Sequence, residues 1–132
     1  MRVVTVAIIV REDKVLLIRR KNEPFKDHWC LISGVGGHIW HRNLIDAVED
    51  EVHYDIGCNF LTPKFFKCQR EFFYNVHDIV VYFAGTIKDE PKMTRNVAGF
   101  GWFTFEEAMC MDLGFDNHKV LSEYLASKII GE

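Results

Sequence analysis

Two aliphatic runs near the start of the chain constrain its fold more than any other feature. Val3–Val10 and Val15–Arg20 are rich in Val, Ile and Leu, and the charged stretch Arg11-Glu12-Asp13-Lys14 separates them. β-Branched runs broken by a short polar turn read as a strand hairpin. Trp29-Cys30-Leu31-Ile32 then reads as one short strand that runs into a loop carrying Gly34, Gly36 and Gly37. Lys64–Tyr74 and Ile79–Ile87 read as a long antiparallel pair around residues 75–78, and Gly99–Phe103 adds a further strand. Between them, Asn43 followed by Leu44, Ala47, Val48, Val52, Ile56 and Gly57 has the cap, spacing and terminal glycine of a helix. Thr104-x-x-Glu107 spells a capping box, and Asp116–Ile130 is an amphipathic closing helix ending at Gly131. Strands lead, a helix interrupts, strands return and a helix closes, so the fold class is α/β, a mixed sheet with helices packed on it.

A chain of 132 residues is sized for one domain spanning 1–132, and 48% apolar residues supply its core. The formal charge of −3 provides no basic field for a phosphate backbone, so no duplex nucleic acid is expected as partner. Cys30, Cys58, Cys68 and Cys110 form no C-x-x-C pair, which points to reduced thiols in a cytoplasmic protein. The run Val3–Val10 is too short to span a bilayer, so no membrane contact is expected. Sheets this small often pair, which keeps a homodimer open as a partner state.

The helix after the glycines carries the chemistry. At about 100° per residue, Leu44, Ile45, Ala47, Val48 and Val52 share one broad arc that faces the core. Glu51 and Asp55 lie inside that arc and stack four residues apart, while Asp46, Glu49, Asp50 and His53 face away. Paired inward carboxylates raise each other's pKa and call for a cation, and all-oxygen ligands suit Mg²⁺, Mn²⁺ or Ca²⁺. Helical spacing alone is equally compatible with a pair solvated at a sheet edge. The adjacent glycine loop, where backbone approaches a ligand closely, favours the metal-assisted phosphate reading.

With these residues in view, the chain resembles the Nudix hydrolase family, MutT-like members included, whose box reads G-x5-E-x7-R-E-U-x-E-E-x-G-U with U apolar. Placing the last glycine of the box on Gly57 places the first on Gly36. Gly36, Glu51, Val52 and Gly57 match, and Asp55 stands in for the last Glu. Arg42, Asp50 and Tyr54 stand where the box has Glu, Arg and Glu, so the box is degenerate. Trp29-x-Leu31 before the glycines and Gly101-Trp102-Phe103 before Glu106-Glu107 extend the resemblance over nearly the whole chain.

The resemblance implies a Nudix-type α/β/α sandwich. It implies that Gly36, through its carbonyl, Glu51 and Asp55 hold Mg²⁺ or Mn²⁺, with Glu51 the default catalytic base. It implies contacts to a small nucleotide-like substrate from Arg20, Gly37, Arg42 and Trp29. His38-x-x-His41 is a weaker transition-metal spelling, Tyr54 is expected to pack, and specificity is expected in loops 21–28 and 89–96. Two functions follow. One is a divergent hydrolase that cleaves a phosphoanhydride bond in a nucleoside diphosphate linked to another moiety. The other is a nucleotide- or protein-binding module that has lost turnover.

Overall fold

A computed structural model describes residues 1–36 and 41–130. β1 (Arg2–Arg11) and β2 (Lys14–Arg19) form the expected hairpin. Its turn puts Glu12 and Asp13 at φ 52° and 65°, the left-handed pair that matches the twist of joined strands. The two strands stay paired only next to that turn, at Val10–Val15 and Arg11–Lys14, and then part company. β2 continues against β3 (Trp29–Cys30) and β7 (Gly99–Thr104). β1 takes β4 (Ile32–Val35) antiparallel on one edge and β6 (Val76–Thr86) parallel on the other, and β5 (Leu61–Phe73) lies beyond β6. Among the described residues the strands make one mixed sheet in the order β3-β2-β1-β6-β5, with β4 on β1 and β7 on β2.

The stretch expected to be one strand at residues 29–32 is therefore two. Leu31 sits where the chain leaves β2 for β1, and its backbone N–H donates to Asn117 Oδ1 at 2.7 Å instead of to a strand. The second hairpin also differs from expectation. Tyr74 and Asn75, at φ 51° and 62°, form a tight turn, so residues 76–78 join β6 rather than a loop.

Both faces of the sheet are covered, which explains the unbroken apolar runs. Ala7, Ile9, Leu16, Ile18, Val81 and Phe83 pack against Val48, Val52 and Ile56 of α1 (Leu44–Ile56). The alternate residues Val6, Ile8, Val15, Leu17, Val80 and Tyr82 pack against Ala108 of α2 (Phe105–Met109) and against Val120 and Leu121 of α3 (Asn117–Ile130). The result is an α/β/α sandwich. No described helix is long and apolar enough to cross a membrane.

α1 is capped at both ends. Asn43 Oδ1 accepts from the Asp46 N–H at 2.9 Å, and Gly57 takes the left-handed conformation at φ 68°. Its last carbonyls are met by the loop before β7: Lys92 N–H reaches Ile56 O, Thr94 Oγ1 reaches Asp55 O and Asn96 Nδ2 reaches Tyr54 O, at 2.7–2.9 Å. Ile45, expected in the core-facing arc, is 39% exposed, whereas Ile56, three turns on at nearly the same angle, is fully buried. The helix thus leaves the sheet at its first turn and meets it at its last. Tyr54, expected to pack, is exposed. The capping box of α2 forms as read, with Glu107 N–H on Thr104 Oγ1 and Thr104 N–H on Glu107 Oε1. α3 starts at Asn117, one residue later than expected, and Gly131 lies outside the described residues.

Because Ile56 anchors the seated end of α1, Ile56→Ala should cost about 2–5 kcal/mol through lost contacts and a cavity. Urea unfolding should show a lower midpoint with an unchanged slope.

Candidate functional site

Asp55 is a buried residue on the sheet-facing side of α1, and Glu51, one turn earlier, is half-buried. Their carboxyls are close enough for each to act on the other's proton affinity. Burial first, then the charge of Glu51, pushes Asp55 up to about 8. Burial also raises Glu51; its bond to Asp55 opposes this, Asp50 adds to it and His41 offsets it.

The chain opposite the pair explains one glycine. A Cβ at Gly34 would lie 1.5 Å from Glu51 Oε1, so only a bare α-carbon admits that carboxylate. Gly36, which motif spacing selects as the metal-binding glycine, lies beside the first turn of α1. Its N–H donates to Val3 O at 2.8 Å, and a Cβ there would meet Thr5, Leu44 and Ala47 at 3.3–3.5 Å. The glycine that faces the acid pair is Gly34, because β4 stays paired with β1 through Val35 and carries Gly36 on to the start of the helix.

On the other face of the sheet a cavity of about 280 Å³ opens. Val4, Val6, Val80 and Tyr82 line it from the strands, Phe73 and Phe115 supply aromatic surface, and Glu71 and Asn117 supply polar groups. Ser33, Gly34 and Arg20 also line it, so the cavity ends at the glycine whose α-carbon touches Glu51. Arg20 links the two parts. Its Nε donates to Pro24 O at 2.7 Å, its guanidinium sits 5.0 Å from the Phe115 ring centre, and its charge lowers the pKa of Asp55. Its neighbours turn away: Arg19 bonds Ala98 O and Lys21 bonds Arg95 O.

The remaining expected residues do not gather here. Arg42 is exposed and pairs with Asp46 at 3.1 Å. Trp29 packs edge-on against Phe103, ring centres 5.2 Å apart, and lines a different hollow with His28 and Asp112. It therefore offers no stacking face in the cavity. Gly37 and His38 lie outside the described residues. His41 bonds Asp50 at 3.2 Å, so the position that usually carries the box's arginine holds an acid paired to the helix entrance. Of the two loops expected to carry specificity, 21–28 reaches the cavity through Glu23 and Pro24, whereas 89–96 docks on the end of α1.

Glu71, Tyr82, Asn117 and Gly34 were not singled out from sequence. The available signal was the alternation Gln69, Glu71, Phe73, which turns an acid inward between exposed Arg70 and Phe72.

The acid pair fits a divalent cation. Two hard carboxylate donors, half-buried and buried side by side, suit an ion such as Mg²⁺, which keeps water and ligand phosphates as its other ligands. Among the described residues no group of three or more His, Cys, Asp or Glu side chains is arranged to hold a metal, so the protein would supply only this pair.

The profile of the NUDIX domain matches residues 1–124. The chain belongs to the NUDIX family. Solved NUDIX structures share its fold at low identity. The MutT NUDIX hydrolase from Burkholderia pseudomallei superposes with TM-score 0.82 at 22% identity, over 92% of this chain and 95% of that one. The NUDIX domain of Shewanella oneidensis NrtR, solved with ADP ribose, gives 0.84 at 16% identity, over 96% and 87%. The E. coli ORF135 protein gives 0.75 at 19%, over 97% and 91%. A search of curated proteins by sequence finds no relative.

The raised pKa of Asp55 predicts that stability falls as pH rises from about 4 to about 8. A carboxyl held near 8 in the folded state, against 3.8 ordinarily, binds its proton more tightly folded than unfolded. Its contribution to stability is complete below about pH 4 and is lost as pH rises through about 8. In chelator-treated protein, Asp55→Asn should flatten this decline and raise the melting temperature most at the alkaline end, as thermal melts across pH will show.

The glycine assignment predicts a contrast. Gly34→Ala should displace the Glu51 carboxylate and weaken Mn²⁺ binding at least tenfold, whereas Gly36→Ala should leave it nearly unchanged, measured by calorimetric titration.

Proposed function

We propose that this NUDIX protein hydrolyses a phosphoanhydride bond in a nucleoside diphosphate derivative with one Mg²⁺ or Mn²⁺ held by Glu51 and Asp55. The observation that carries the reading is the inward Glu51 and Asp55 pair, with Glu51 against Gly34 at the end of a cavity sized for part of a small ligand. The NrtR domain solved with ADP ribose supports a ligand of this class.

A divalent cation held by Glu51 and Asp55 would neutralise phosphoanhydride oxygens and lower the pKa of water. Glu51, with Oε1 against the bare α-carbon of Gly34, accepts the proton of the attacking water. Arg20 brings positive charge to the phosphates from the cavity side, and the exposed Arg42 is an outer contact that would first give up Asp46. The Phe73 and Phe115 rings exclude water from the apolar part of the ligand. Four free cysteines fit work in a reducing compartment such as the cytoplasm.

Binding without turnover is the competing reading, favoured by Arg42, Asp50 and Tyr54 at the altered box positions. A panel of nucleoside diphosphate derivatives with Mg²⁺ or Mn²⁺, products resolved by mass, separates the two. Slow hydrolysis is expected, with Glu51→Gln reducing turnover by about 10² or more while the fold persists. No product from folded protein across the panel would leave the binding reading.

A further inference from the structure

We propose that the chain pairs with a second copy of itself across the α1 face of the sheet, Phe72 of each copy seated under the first turns of the other's α1 and Arg70 of each meeting the partner's Glu49. This inference is independent of the hydrolase reading.

α1 lies on the sheet with two unlike flanks. Ala47 and Glu51 meet Gly36 and Gly34, at the β4 edge of β1. Ile45, Glu49, Val52 and Ile56 fall within about 60° of one another on the opposite flank, which looks toward the other edge of β1, where β6 and then β5 lie. Val52 and Ile56 are fully buried there, but the helix lifts at its start and leaves Ile45 39% exposed. Gly36 bonds Val3 O and also meets Leu44, so the lifted turn stands at the level of Val3. Val3 of β1 and Ile79 of β6 are paired at that level and only partly buried. β5 continues the same face, with Arg70 opposite Ile79 and Phe72 opposite His77. The outcome is an apolar wedge between the first turns of α1 and the sheet, with Phe72, 58% exposed, at its rim.

β5 is exposed at every position of this row: Phe65, Cys68, Arg70 and Phe72. A contiguous apolar strip marks an interaction surface, and aromatic residues and arginine are the types that interface centres collect. Charge and shape say what covers it. A two-fold interface needs a surface complementary to itself, and this one holds both halves of each contact: a protruding ring and a wedge, a cation and an acid. Neither Arg70 nor Glu49 has an ion-pair partner among the described residues. A two-fold axis across the face therefore makes the ring-in-wedge contact and the Arg70 contact to the partner's Glu49 twice each. Joining β5 edge to edge is the poorer arrangement, because Pro63, Lys64, Lys67 and two register breaks blunt that edge.

Sedimentation equilibrium from micromolar to submillimolar protein should give a mass that rises from 15.4 kDa toward twice that value. Phe72→Glu should hold the protein at the single mass. Arg70→Glu and Glu49→Arg should each weaken self-association by about tenfold or more, since each sets like charges against one another at both contacts. Mixed in equal amounts, these two single variants should associate one to one about as tightly as the wild type, because opposite charges then meet at both contacts. A wild-type chain that keeps the single mass throughout overturns the proposal, whatever other protein its face captures. So does a dimer that survives Phe72→Glu, or a pair of charge variants that fails to associate on mixing. Should Phe72→Glu not fold, the mixing experiment decides alone. A single-mass protein that hydrolyses the diphosphate panel loses this inference and keeps the proposed function; a dimer without products does the reverse.

Discussion

β1 is paired along both edges and covered on both faces, and the site exists because of how its edges are shared. β2 holds it only beside the hairpin turn; past Val10 that edge passes to β4, which the chain reaches only after leaving β2 at Leu31. Any backbone N–H stranded at such a crossing must be satisfied. Asn117 satisfies it from the start of α3, which ties the far end of the chain to the crossing. The handover brings Gly34 beside Thr5 of β1, with α1 on one side of it and the cavity on the other. One strand pairing therefore places both halves of the candidate site.

Within the site, burial outweighs charge pairing. It is the first cause of the raised pKa at both Glu51 and Asp55, and Arg20 offsets it only weakly at Asp55. Families that rely on an arginine within the helix to orient the neighbouring acid place a cation there. Here Asp50 is exposed and engaged with His41, and Asp55 draws positive charge from Arg20 on the strand side. Electrostatic support for Asp55 thus comes from the cavity side of the molecule, where a bound phosphate would compete for it.

Much of this was legible in the sequence where the signal was local. The first hairpin, the Asn43 and Gly57 caps, the Thr104 capping box and the inward turn of Glu51 and Asp55 all follow from residues within one element. What was not legible depended on pairing between distant segments. Nothing within residues 29–36 says that Leu31 changes partners or that β4 runs on to Val35, and those two facts decide whether Gly34 or Gly36 meets Glu51. Glu71 was hidden for a related reason. β5 has irregular register between Leu61 and Lys64 and again between Phe65 and Lys67, so the alternation that turns Glu71 inward begins only after those breaks. Asn117 meets Tyr82 and Leu31 only after the whole chain has folded.

The amide of Asn117 has a further effect. Its oxygen is committed to a backbone N–H, a group that cannot reverse its role, so its nitrogen is committed to Tyr82. Tyr82 must then point its own hydrogen onward to Glu71. Most buried strings of hydroxyls and amides can be drawn with their hydrogens running either way, and they fluctuate between the two orderings. This string has a fixed origin in the main chain and reads in one direction only. The polarity of the cavity wall is thereby tied to the main chain at Leu31.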